Sequence, residues 1–234
     1  MSRLFTWAPA ATCCCFACTG AALPRRGFMV GAALLSSLPA SAQSSLSPEA
    51  ALAQLMDGNR RFAEQRMTSL NEDLDLIRRG TVAKQEPFAA VLACSDSRVP
   101  VELVFDQTIG RIFVARVAGN IASSDVIASL EYGAAVLGTR VVLVLGHANC
   151  GAVKAAIEGK AAPGQISALY RSIRPAIDQA GTDPTAVIRA NAWLQARLLR
   201  DSSPVLGELV KQGKLAIRAG YYDLAAGRVA LLEQ

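Results

Sequence analysis

Five residues in this chain have the types and spacing to do chemistry together. Cys94, Asp96 and Arg98 stand in Cys94-Ser95-Asp96-Ser97-Arg98, and His147 and Cys150 stand in His147-Ala148-Asn149-Cys150. Zinc favours cysteine sulfur and histidine nitrogen in a tetrahedral shell; structural sites close it with four protein ligands, and catalytic sites leave one position open. Residues 43–234 contain no other cysteine and no other histidine. Cys94, His147 and Cys150 therefore supply three ligands for one zinc ion, and the fourth position falls to water or to Asp96. Asp96 beside Arg98 predicts a charge-assisted pair that keeps the carboxylate ionised. Such a carboxylate either accepts a hydrogen bond from the metal's water and orients it, or takes the open position and blocks the site.

The elements around these residues are those of an α/β protein. Phe88 to Ala93 is a short apolar run ending at Cys94, and Arg140 to Leu145 is another ending at Gly146-His147. Both read as buried strands of a mostly parallel sheet. Arg111 to Val117 and Leu215 to Tyr222 read as further strands, with Val229 to Leu232 as a return strand after the turn Ala226-Gly227-Arg228. Helical spacing is found from Ser47-Pro48-Glu49 to Phe62, from about Asn71 to Ala83, and from Ser124 to Leu137 with Gly138 as its stop. A helix is expected from about Cys150-Gly151, whose N-terminus favours a thiolate. Pro163 to Ala180, Asp183 to Leu199 and Ser203 to Gln212 complete the helices, and Val101 to Phe105 makes a helical turn. Ligands of open α/β sheets bind beyond the carboxyl ends of strands, and the three candidate ligands fall there.

The 234 residues, 52% of them hydrophobic, suffice for one sizeable core. The formal charge of +5 is uneven, because residues 1–42 hold Arg3, Arg25 and Arg26 and no acid. No basic run with interleaved aromatics follows, so nucleic acid is not an expected partner. Arg25-Arg26, the apolar stretch Phe28 to Leu38 and Ala40-Ser41-Ala42 read as a twin-arginine export signal, residues 1–42. Its apolar run is too short to span a bilayer. Cleavage after Ala42 leaves residues 43–234 as a single domain with an N-terminal helical arm, without a stable membrane span, in the periplasm. Cys13, Cys14, Cys15 and Cys18 lie in the removed segment. An exported chain with two cysteines ordinarily pairs them, so a Cys94–Cys150 disulfide without metal is a rival reading. Folding and loading with zinc before export would avoid it.

Cys94-Ser95-Asp96-Ser97-Arg98-Val99-Pro100 and Gly146-His147-Ala148-Asn149-Cys150-Gly151-Ala152-Val153 resemble the two signature motifs of the β-class carbonic anhydrases. The likeness runs from about Ser47 to the C-terminus. It takes in Gln85-Glu86-Pro87, Phe105-Asp106-Gln107, Val117-Ala118-Gly119-Asn120, Ser129-Leu130-Glu131-Tyr132-Gly133 and Tyr222-Asp223-Leu224 with Gly227-Arg228-Val229. The resemblance implies zinc on Cys94, His147 and Cys150, with Asp96 as a conditional fourth ligand. It implies catalysis by Asp96 and Arg98, with substrate contacts at Gln85 and Gly151. It further implies four parallel strands plus an antiparallel one, a homodimer or larger assembly, and reversible hydration of CO2 to bicarbonate and a proton. Val101, Thr108 and Arg111 depart from the family's usual proline, glycine and acid, which bears on loop shape and interface. The one histidine is already a ligand, so no histidine proton shuttle exists and turnover is expected to depend on buffer or water chains. A zinc hydrolase of CS2 or COS would use the same ligands, and a zinc-binding scaffold without turnover would have no use for Asp96 and Arg98.

Overall fold

The computed structural model describes residues 44–233, which pack around one five-stranded sheet. The expected export signal and its four cysteines lie outside the described residues. The strands are β1 (Ala89–Ala93), β2 (Ile112–Arg116), β3 (Val141–His147), β4 (Ala216–Asp223) and β5 (Arg228–Leu232), in the order β2-β1-β3-β4-β5. The first four are parallel, and β5 returns antiparallel on β4. That is the arrangement the resemblance implied.

β1 and β3 are buried along their whole length, as their unbroken apolar runs require. Successive side chains point to opposite faces. Ala89, Val91 and Ala93 of β1, with Val141, Leu143 and Leu145 of β3, pack on helices α1 (Pro48–Ala63) and α3 (Val101–Val104). Ala90, Leu92, Val142 and Val144 face α4 (Ser124–Glu131), α7 (Pro184–Ser202) and α8 (Pro204–Lys211). The layer is completed by α5 (Gly151–Glu158) and α6 (Ala168–Ala180). Among the described residues no helix is long and apolar enough to cross a membrane.

The N-terminal arm starts as its residues dictate. Ser47 Oγ accepts a hydrogen bond from Ala50 N at 3.2 Å, and Pro48 occupies the first turn, where its missing N–H costs nothing. Asn59 then stitches α1 to the body. Its amide donates to Val104 O and Gly227 O at 3.1 and 3.0 Å, and its Oδ1 accepts from Val229 N at 2.8 Å.

Three helices differ from expectation, α6 by starting at Ala168 and not at Pro163. The second, α2 (Leu74–Thr81), starts later than Asn71 because Ser69–Asn71 closes a 3-10 turn and Asp73 takes the cap, accepting from Asp75 N and Leu76 N. The helix from Ser124 does not run evenly to Leu137. It widens into a π-turn at Tyr132–Val136, where Gly133 lies against the Phe113 ring.

Candidate metal centre

β1 and β3 are neighbours in the middle of the sheet, so their carboxyl ends bring the two motifs together. Cys94 is the first residue past β1. His147 is the last residue of β3, paired with Tyr222 of β4, and is fully buried. The chain then turns through Asn149, which takes a left-handed φ of 56°, and Cys150 caps α5. The ligand atoms of Cys94, His147 and Cys150 all lie within 4.8 Å of one another.

The three atoms have the spacing and chemistry of a metal shell. The two sulfurs are 4.0 Å apart, far beyond the S–S bond of about 2.05 Å. Two sulfurs about 2.3 Å from a tetrahedral zinc would be separated by roughly 3.8 Å. His147 Nδ1 lies 2.9 Å from Ala148 O, which places the proton on Nδ1 and leaves the Nε2 lone pair free. Nε2 is buried without any hydrogen-bond partner. The interaction with Cys150, helped by His147 and Gly119, holds the Cys94 thiol down at about 4. The Cys94 thiolate in turn pushes the Cys150 thiol up, with burial adding to the effect. A metal takes its cysteine ligands as thiolates, and a Cys94 thiol pushed down in this way suits that demand. These residues fit a metal ion.

Asp96 stands beside the cluster in a fixed pose. Arg98 Nε donates to Oδ1 at 2.9 Å, Arg98 Nη2 to Oδ2 at 2.7 Å, and Arg98 N to Oδ1 at 3.0 Å. The guanidinium holds the Asp96 carboxyl well below the usual carboxylate range. Asp96 Oδ2 lies 3.9 Å from His147 Nε2. Arg98 Nη2 also donates to Asn149 O at 3.3 Å, so one guanidinium touches both ligand loops.

The two expected substrate contacts fall differently. Gly151 opens α5 next to Cys150, and a Cβ built there would meet nothing within 4 Å. Gln85 is exposed and precedes the amino end of β1, whereas the cluster lies beyond its carboxyl end. A five-residue strand puts roughly 15 Å between the two ends. Within one chain, Gln85 is not part of the site.

Four residues of the site's frame were not singled out as site residues from sequence. Arg116 Nε donates to Cys94 O at 3.0 Å and Arg116 Nη2 to Asp96 O at 2.6 Å, pinning the loop that carries both side chains. Gly119 N donates to Cys94 Sγ at 3.3 Å. Asn191 and Gln195, buried on α7, hold the turn that contains Gly119. Only Gly119 had a signal, as part of Val117-Ala118-Gly119-Asn120.

A buried Cys-His-Cys cluster that could hold a metal, at the carboxyl ends of parallel strands and with an ionised carboxylate beside it, has the layout of an α/β metalloenzyme site. Comparison with known proteins gives the family. A family model described as carbonic anhydrase matches residues 89–229. Carbonic anhydrase 2 of Mycobacterium tuberculosis is 33% identical over 192 residues, covering 79% of this chain and 92% of that protein. The carbonic anhydrase of Mycolicibacterium smegmatis is 35% identical over 198 residues, covering 79% and 93%. Among solved structures, the Coccomyxa β-carbonic anhydrase in complex with acetazolamide superposes with a TM-score of 0.62 at 26% identity, over 78% of this chain and 86% of that one. The chain belongs to the β-class carbonic anhydrase family.

Proposed function

We propose that this carbonic anhydrase hydrates CO2 reversibly to bicarbonate and a proton, using one zinc ion held by Cys94, His147 and Cys150 and the Asp96–Arg98 pair. The observation that carries the reading is the bidentate pair itself, set with Asp96 Oδ2 3.9 Å from His147 Nε2. Zinc bound there supplies a lowered water pKa and Lewis acidity, tempered by the two thiolates that offset its charge. The protein's own groups do the rest. Arg98 keeps Asp96 ionised, so Asp96 accepts a hydrogen bond from the attacking water and aims its lone pair. Gly151 leaves room beside Cys150 for CO2. His147 is buried and committed, so the proton leaves through water or buffer. Asp96 would serve as a fourth ligand by giving up Arg98, which would make the pair the point at which activity is switched.

The test is CO2 hydration with zinc measured on the same samples, for wild type and Asp96→Asn. One zinc per chain in both and activity lost in the variant are expected. A variant with full activity overturns the role of Asp96, and a wild type that hydrates CO2 without zinc overturns the metal.

The proposal extends to place and assembly: export through the Arg25-Arg26 signal to the periplasm, and a homodimer or larger complex. Recovery from the periplasmic fraction of a chain beginning at Gln43 supports the first. A chain still beginning at its original N-terminus counts against it.

A further inference from the structure

We infer that Asn191 and Gln195 of α7 are positioning residues for the metal centre, acting on the Cys94 sulfur through the backbone of Gly119. The inference rests on the metal reading given above. Asn191 is fully buried and Gln195 nearly so, one helical turn apart on the same face. Neither amide serves the helix. Asn191 Nδ2 donates to Gly119 O at 2.9 Å, and Gln195 Nε2 donates to Asn191 Oδ1 at 3.2 Å and to Ser172 O at 3.1 Å. Gln195 Oε1 accepts from Ala122 N at 2.8 Å. The two side chains therefore grip both ends of the turn that spans Gly119 to Ala122, and anchor it to α6 as well.

The turn so held presents one group to the site. Gly119 N points at Cys94 Sγ, 3.3 Å away. Gly119 has φ of 75°, and a Cβ there would lie 3.0 Å from Ile173 Cδ1, so the turn has no room for a side chain. An N–H aimed at a thiolate stabilises the anion and draws electron density from the sulfur. Without Asn191 the Gly119 carbonyl loses its buried donor, and the turn is held at its Ala122 end alone. The Cys150 sulfur is served by other backbone groups, those of Ala152 and Val153 in the first turn of α5.

The discriminating measurement is the cysteine-to-metal charge-transfer band of the cobalt(II)-substituted protein. Asn191→Leu removes the donor at similar size. Asn191→Ser removes it while leaving room for a water, and guards against loss of fold. Leu199→Ala, a buried apolar truncation on the same helix, controls for general loosening. Both Asn191 variants are expected to shift the band to longer wavelength and to weaken zinc affinity by roughly 10–100-fold, while the Leu199 variant loses stability with its band unmoved. Folded Asn191 variants with an unmoved band overturn the inference, as does an equal shift in the Leu199 variant. A wild type lacking any thiolate-to-cobalt band instead overturns the metal reading, and the inference with it.

Discussion

Two aspartates show how differently one residue type is used here. Asp96 is gripped by a single guanidinium and keeps one side turned to the cluster. Asp106 is buried with a left-handed φ of 46°, and accepts from Thr68 N, Thr68 Oγ1, Ser69 N and Arg61 Nε. Burial raises the pKa of Asp106, but the bonds from Ser69, Arg61 and Thr68 outweigh it and hold the carboxyl well below the usual range. A carboxylate whose folded pKa is depressed stabilises the fold above its unfolded pKa of about 3.9, and that contribution is lost as pH falls toward the folded value. Asp106→Asn is expected to cost about 3 kcal/mol at neutral pH, and urea titrations should show the gap to wild type shrinking below about pH 4. A gap that stays constant into acid would mean Asp106 acts by shape and not by charge. The Cys94, His147 and Cys150 cluster and the Asp96–Arg98 pair were legible in the sequence because cysteine and histidine are scarce and each motif follows a strand. Arg116, Asn191 and Gln195 were not, because they act on backbone groups far away in the chain, and no local pattern marks such a partner.

At the scale of elements, the strands were readable because a wholly buried parallel strand must be continuously apolar, and β1 and β3 are. Helix limits were less so. The start of α2 is set by the Asp73 cap after the 3-10 turn at Ser69–Asn71, and the π-turn after α4 lies against the Phe113 ring of another element. The seam between α1 and α3 carries a sharper constraint. A Cβ at Gly58 would lie 1.9 Å from Phe105 O, a backbone atom that cannot swing away. Gly58→Ala should push α1 off the sheet and cost about 3 kcal/mol, read as a lowered urea midpoint. A midpoint equal to wild type would show that α1 can slide without loss.

Among the described residues one helix, α2, packs none of its side chains into the core. No residue of α2 is buried, yet Leu74 and Leu76 on it are more than half exposed, and Leu70, Leu103 and Ile109 nearby also meet solvent. A groove of about 350 Å³ is lined by Leu70, Leu74, Leu103 and Ile109, beside the edge strand β2. A second copy covering this face would bury that apolar surface, consistent with the proposed assembly. Leu76→Glu costs the monomer little, since the side chain touches no core. Sedimentation should show the wild type as a dimer or larger and the variant shifted toward the monomer. An unchanged assembly would place the interface elsewhere.

Cys94 and Cys150 also lie 56 positions apart in the chain, and the stretch between them carries α3, β2, α4 and β3. With the proposed ion in place, that stretch becomes a closed ring fastened at a single clasp. No part of the ring can be drawn out for degradation as a free-ended strand while the clasp holds. In a compartment rich in proteases, the supply of the cation would then govern how long each molecule survives as well as how fast it works.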